Sequence, residues 1–355
     1  MSKKEKKVKS KIDKQISFKK GLLVLLAVGL MMMGSGLFVL YGPWNYLREW
    51  LVTTAMTTMT HQYLATSFYN EKTVANVLDH NKVIEVNEET DTNLIDPTKR
   101  HSGTVYANEY EKAILEHDED ALYKIINITD PGYRGYLVAV YNPANVHIGV
   151  TRYLGTRGES TKQMAEYYKA PVVMNAGGFY DPDWNSRGQQ PHGTVYSFGK
   201  KIGSWSDAAV GGGFMGFTKD DVFVLCPGCS DSKIAALNVR DGVEFGPFLI
   251  VNGKASFVSG NGGWGTAPRS AIGQREDGIV LMLVMDGRDY KGGVLGADMV
   301  FLTETMKKYG AVNAANLDGG SSSSLVIEGK VHNKPVAGGD EGLRFIPTFW
   351  VVTKD

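Results

Sequence analysis

Two acidic residues stand where apolar runs give out: Asp318 in "NAANLDGGSSSS" (residues 313–324) and Asp286 in "VLMLVMDGRD" (residues 280–289). Packing would prefer an apolar residue at the end of a buried strand, because an unpartnered charge there is costly. Each carboxylate therefore invites a chemical reading. Behind Asp318 come Gly319 and Gly320, whose backbone amides can approach an anion, and then the hydroxyls of Ser321 and Ser322. Such a loop suits a phosphate or a developing oxyanion, although it lacks the lysine of a nucleotide-binding P-loop. Arg288 follows Asp286 by two residues, and Arg269 sits in "GNGGWGTAPRSAIG" between a glycine-rich loop and a short strand. Guanidinium forks hold phosphate through paired contacts. Asn175 in "VVMNAGGFY" is a third polar group at a strand end, and His192 in "QQPHGTVYSFGK" is a candidate acid or base. Singly, each has a bland alternative: a turn, a surface ion pair, a capping Asn, a hydrogen-bonding His. Together, three strand ends and two arginines point to an anion held beside carboxylates.

These residues need a sheet to bring them together. From about residue 121 the chain turns to short β-branched and aromatic runs broken by glycine, such as "LYKIINI", "YLVAVY", "VFVLC" and "RFIPTFWVV", which is the texture of strands. Two helical stretches interrupt it. "STKQMAEYYKA" opens on a capping box from Ser160 to Gln163, and "GADMVFLTETMKKYGA" runs from about residue 296 to a terminating Gly310,. The second helix lies between the apolar runs "GIVLMLVMD" and "AVNAANLD". A β-α-β unit with parallel outer strands would put Asp286 and Asp318 on one carboxyl-terminal edge. The expected fold is α+β: a mixed-sheet domain with few helices.

The stretches "VVMNAGGFY", "PHGTVYSFGK", "GPFLIVNGKA", "APRSAIG", "VMDGRDYKGG" and "NLDGGSSSSLVIEGKVHNKP" resemble, in order and spacing, the phosphodiester glycosidase family, to which the lysosomal uncovering enzyme belongs. The resemblance covers roughly residues 121–355, and its last three motifs are specific as a set. It implies an α+β domain that hydrolyses a sugar-1-phosphodiester and releases the sugar, from a sugar-phosphate polymer or glycolipid at the cell surface. By motif, Asn175, Arg269, Asp286, Asp318, Gly319, Gly320 and Ser321 match its signature positions. Two departures stand out: Ser321 replaces a third glycine, and the acidic residue common early in the preceding helix has only Asp298 and Glu304 as neighbouring candidates. Cleavage beside the anomeric carbon develops oxocarbenium-like charge, for which paired carboxylates are the usual answer. That leaves Asp318 and Asp286 as base, nucleophile or charge stabiliser, with Asn175 beside them.

The remaining chain concerns location. Residues 1–20 hold nine lysines against Glu5 and Asp13, so this tail is +7 and the rest, at zero net charge overall, is −7. "GLLVLLAVGLMMMGSGLFVL", residues 21–40, is long enough to cross a bilayer as one helix,. A cleavable signal peptide is the competing reading, but its apolar region is normally shorter and ends in a small-residue site absent here. The lysines stay cytoplasmic and Trp44, Tyr46 and Trp50 suit the far headgroup layer, so the rest is expected outside. The organisation expected is a basic tail (1–20), a membrane anchor (21–40), a helical stalk and acidic linker (41–120) and the phosphodiester glycosidase domain (121–355). His61, His80, His101 and His117 fall in the stalk and linker and read as solvated or packing residues. Cys226 and Cys229 in "CPGC" are expected to form a disulfide; a redox pair would open a helix, and zinc would need further ligands. No cofactor and no nucleic-acid partner is expected. Two rival classes remain: a phosphodiesterase holding a metal on Asp286, Asp318 and His192, and a silent glycan-binding module.

Overall fold

A computed structural model describes residues 3–58, 61–99, 105–181, 187–205, 213–338 and 340–354; His101 lies outside them. Eight α-helices lie among the described residues: α1 (Lys3–Tyr41), α2 (Asn45–Met56), α3 (Tyr63–Thr66), α4 (Glu71–His80), α5 (Glu109–Leu115), α6 (Thr161–Tyr168), α7 (Asp231–Ala236) and α8 (Met299–Lys308). Three antiparallel sheets and a two-stranded ribbon complete an α+β architecture.

The strand Val280–Met285 is apolar at every position, which calls for cover on both faces,. Val280, Met282 and Val284 point into a core shared with Met174, Phe217 and Trp350 of the two five-stranded sheets. Leu281, Leu283 and Met285 point the other way, against Met299, Leu302 and Met306 of α8 and Ile114 of α5. Each such side chain, fully withdrawn from water, contributes about 1.5–3 kcal/mol. This strand belongs to a seven-stranded sheet in the order Lys254–Ala255, Phe248–Val251, Ala311–Asn316, Arg269–Arg275, Val280–Met285, Tyr133–Val140, Tyr123–Asp130.

The strands on either side of α8 do run the same way, but they do not pair. Arg269–Arg275 lies between them, antiparallel to both. The edge that receives the ends of Val280–Met285 and Ala311–Asn316 therefore also receives the start of the strand carrying Arg269. One five-stranded sheet runs Lys330–Val331, Leu325–Ile327, Val172–Asn175, Thr348–Val352, Val146–Val150 and brings Asn175 to the same region. The other ends on Phe223–Pro227, where Cys226 and Cys229 form a disulfide. Helix α6 begins on the expected capping box: Ser160 Oγ accepts from Gln163 N at 3.3 Å, and Gln163 Oε1 accepts from Ser160 N at 2.9 Å.

The N-terminal third packs on itself and against the domain. Val52, Ala55, Ala65, Tyr69, Val74 and Val77 of α2 to α4 form a small core of their own. Val83–Ile84 pairs with Phe257–Val258, and Thr90 exchanges hydrogen bonds with Leu225 through its hydroxyl at 3.0 and 2.9 Å. Residues read as an acidic linker are thus laid along the domain surface. Among the described residues a single stretch, Phe18–Tyr41 in α1, is long and apolar enough to cross a membrane, and its side chains are exposed.

Candidate active site

A cleft of about 1250 Å³ opens over the edge of the seven-stranded sheet, larger than a single sugar requires. Strand register explains what reaches it. Arg269 is level with Met285 and Ala271 with Asn316, so Arg269 stands between the two strand-end aspartates. Asp318, Gly319, Gly320, Ser321, Arg269, Arg288 and His192 all line the cleft.

The loop after Asp318 is fixed by hydrogen bonds to neighbouring strands. Asn175, fully buried, donates from Nδ2 to the Asp318 carbonyl at 2.6 Å. Its Oδ1 accepts from Ser270 Oγ at 2.7 Å and from the Ser324 N–H at 3.1 Å. Both polar atoms of that side chain are thus engaged in holding the loop. The Gly319 N–H donates to Asp318 Oδ1 at 2.9 Å and the Gly320 N–H to the Pro268 carbonyl at 2.8 Å. The expectation of an amide nest is therefore corrected: these two donors are already engaged. The glycines serve access instead. A Cβ at Gly319 would stand 3.3 Å from Arg269 Nη1, and Gly320, at φ +61°, brings the loop close to Arg288. Ser321 Oγ accepts from Arg344 Nη1 at 3.3 Å, whereas Ser322 is buried beneath the loop and its carbonyl accepts from Ser324 Oγ at 3.1 Å.

The guanidinium groups carry the electrostatics. Arg269 is buried, donating from Nη2 to the carbonyls of Trp264 and, at 3.1 Å, Gly265, with the Trp264 ring 5.8 Å from its centre. Among the described residues neither Arg269 nor Arg288 pairs with a carboxylate. Burial pushes the Arg269 pKa down to about 10, and the nearby charge of Arg288 adds to this. Burial lowers that of Arg288 as well. Withdrawal from water raises the Asp318 pKa above its ordinary value, against the pull of the Ser322 hydroxyl, Arg344, the Gly319 N–H and Arg269.

Asp286 is not brought to the cleft. Its Oδ2 accepts from Arg134 Nε at 2.7 Å, and its Oδ1 from the Lys334 N–H at 2.7 Å and Asn333 Nδ2 at 3.3 Å. Asp289 shares Arg134 at 3.0 Å and adds Lys334 Nζ at 2.9 Å, two cations that hold its pKa down to about 2. The expected carboxylate pair thus separates into one cleft acid and one buried ion-pair partner. Nor do Asp286, Asp318 and His192 gather as a metal cage; among the described residues no group of three His, Cys, Asp or Glu is spaced to hold one. Asp298 caps α8, accepting from the Phe301 N–H at 2.9 Å.

Several cleft residues carry no motif signal. Arg344, from the loop before the last strand, pairs with Asp181 and lies 4.6 Å over the Phe179 ring. Its only hint was a basic residue in "GLRFIP". Phe179, Phe245 and Trp264 supply apolar wall, and Trp50, Leu51 and His61 come from the N-terminal segment.

Residues 168–353 match the sequence model of a family described as phosphodiester glycosidase. The SPbeta prophage-derived uncharacterized protein YomE of Bacillus subtilis (strain 168) is 30% identical over 192 residues, 51% of this chain and 28% of that protein. The chain therefore spans well under half the length of that curated relative. The zebrafish N-acetylglucosamine-1-phosphodiester alpha-N-acetylglucosaminidase catalytic domain, auto-inhibited by its pro-peptide, shares the fold: TM-score 0.54 at 20% identity, over 68% of this chain and 87% of that one.

Proposed function

Because the chain belongs to the phosphodiester glycosidase family, whose members are hydrolases, we propose that it cleaves a sugar-1-phosphodiester at the bond between the anomeric carbon and the phosphate oxygen. The observation that carries this reading is the pair of guanidinium groups, Arg269 and Arg288, buried or half-buried on either side of the Asp318 loop and, among the described residues, without carboxylate partners. Cations in that state favour an anion, and a planar fork favours phosphate. The sugar packs against Phe179, Phe245 and Trp264, apolar faces suited to a ring,.

Asp318 is the group placed to act at the anomeric carbon. As that carbon loses the phosphate oxygen, positive charge grows on the sugar and negative charge on the departing phosphate. The carboxylate offsets the first, and Arg269 and Arg288 the second. Phosphate is a good leaving group, so one carboxylate suffices where ordinary glycosidases use two. A carboxyl pKa raised by burial also suits a general base that takes the proton of the attacking water. Asn175 holds the loop, and Asp286 holds Lys334 and Arg134, so both act through position. Hydrolysis of a glycosyl methyl phosphodiester in heavy-oxygen water tests the bond assignment. The label is expected in the sugar; label in the phosphate would replace this reading with attack at phosphorus.

The same proposal places the enzyme on a membrane, with α1 as anchor, the lysine tail in the cytoplasm and the cleft outside, acting on surface glycans or glycolipids. The lysine asymmetry about the apolar stretch supports it,. Protease added to intact cells is expected to remove the folded domain, and full protection of the domain would reverse the orientation.

A further inference from the structure

The helix that carries the apolar stretch and the helix that walls the cleft are consecutive. α1 ends at Tyr41 and α2 begins at Asn45, and Trp50, Leu51, Thr54 and Thr58 line the cleft, with His61 and Leu64 just beyond. Three linker residues and five residues of helix put Trp50 within roughly 20 Å of the end of the span. The junction is closed. Tyr41 Oη donates to the Phe68 carbonyl, Tyr69 Oη donates to the Leu40 carbonyl at 2.8 Å, and the Phe38 and Trp44 rings meet edge to face at 4.9 Å.

The other side of α2 is joined to the catalytic edge. Asn261 donates from Nδ2 to Thr53 Oγ1 at 2.7 Å and from its N–H to Asn81 Oδ1 at 3.0 Å. Gly265 packs so closely that a Cβ there would lie 2.6 Å from the Thr54 Cα, and the Gly265 carbonyl accepts from Arg269 at 3.1 Å. No flexible spacer separates the apolar helix from the arginine that faces the substrate anion. Around the junction Tyr41, Trp44, Tyr46 and Tyr63 are 54, 50, 81 and 58% exposed, the amphipathic rings that settle at the headgroup layer. The cleft rim carries apolar residues too, Leu295 and Phe345 being 46 and 39% exposed, beside the exposed acids Glu166 and Glu341.

We propose that the substrate is a lipid-linked glycosyl phosphodiester in the same membrane that α1 crosses: a sugar joined at its anomeric carbon to phosphate, the second ester of which carries an apolar lipid. This rests on the phosphodiester glycosidase reading above and names the substrate class for that site. The water oxygen bonds to the anomeric carbon, the carbon–oxygen bond to phosphate breaks, and its electron pair leaves with the phosphate. The water proton passes through Asp318 to solvent. The products are free sugar and a lipid monophosphate, which stays in the bilayer. Leu295 and Phe345 at the rim receive the first part of the lipid, and the short, closed junction between α1 and α2 keeps the cleft near the headgroups.

The test uses the full chain in lipid vesicles. A synthetic glycosyl phosphoprenol is supplied either in the same vesicles as the protein or in separate, protein-free ones, and a soluble glycosyl methyl phosphodiester bearing the same sugar is run alongside. Confinement to one bilayer raises the effective concentration, so release in the same vesicles is expected to exceed release across vesicles by at least about tenfold. Equal release in both arrangements, with the soluble diester cleaved, overturns the lipid-linked substrate and leaves the glycosidase reading standing. Cleavage of neither diester overturns both. A second form of the chain carries a rigid helical insert of about 20 residues after Tyr41, which lifts the cleft by roughly 30 Å. Its same-vesicle rate is expected to fall at least about tenfold while the soluble rate stays within about twofold. An unchanged same-vesicle rate would overturn the proposal. If the insert abolishes soluble turnover too, the ratio measured on the unmodified chain decides.

Discussion

Asp318 and Asp286 occupy equivalent places at the ends of two co-directional strands, each followed by glycine, and the molecule uses them in opposite ways. Around Asp286 every oxygen has a donor: Arg134, the Lys334 N–H and Asn333. Around Asp318 the donors are the Gly319 N–H and the Ser322 hydroxyl, the cations Arg269 and Arg344 face the cleft, and burial raises its pKa. What separates the two is the kind of donor committed to each: a guanidinium for Asp286, and a backbone N–H and a hydroxyl of its own loop for Asp318. On the function proposed above, the acid held by neutral donors of its own loop is the one that acts.

The largest effect that tests this contrast is on stability. Asp286→Asn removes the charge that Arg134 balances, and breaking a buried ion pair costs about 3 kcal/mol. The melting temperature is expected to fall by about 6–12 °C, with kcat per folded molecule kept within a few-fold; a calorimetric scan beside an active-site titration reads both. Loss of kcat with an unchanged melting temperature would return Asp286 to the chemistry. Next comes Asp318→Asn, expected to lower kcat by some hundredfold or more, about 3 kcal/mol of transition-state stabilisation, at an unchanged or higher melting temperature. Its pH signature has a definite sign. The charged carboxylate is the working form and its pKa is raised, so kcat/KM climbs with pH through a limb above the ordinary Asp range, and the Asn variant lacks that limb. The smallest effect belongs to Arg269→Lys. The fork is divided between backbone carbonyls and the cleft, and a single ammonium cannot serve both. KM is expected to rise about tenfold, roughly 1.4 kcal/mol, with kcat little changed. An equal fall in kcat would make Arg269 a transition-state contact.

Much of the scaffold was legible because its signals are local. The unbroken apolar run Val280–Met285 announced a strand, and Ser160 with Gln163 announced where α6 starts. The arrangement around α8 was legible in direction but not in pairing, since nothing in either flanking run says that Arg269–Arg275 will lie between them. The two aspartates could not be told apart from the sequence for the same reason. The partner that neutralises Asp286, Arg134, is 152 positions away, and a residue that far off leaves no trace in a local motif. Arg344 was missed because one arginine in a loop carries no pattern. The cleft wall from α2 was hidden because three- and four-residue apolar spacing predicts a helix with a buried face, but not what that face will cover.

Across the sheet, neighbouring strands present Asp318, Arg269, Asp286 and Arg134 in turn, acid from a strand's end and base from a strand's start. That alternation is available only where adjacent strands oppose each other. It also leaves the site open to an error that the core would not detect. A slip of two residues along one strand returns every side chain to its proper face and so preserves the apolar layers, yet it displaces a guanidinium by nearly 7 Å, about two residue rises. A chain mispaired in this way would be folded and inert.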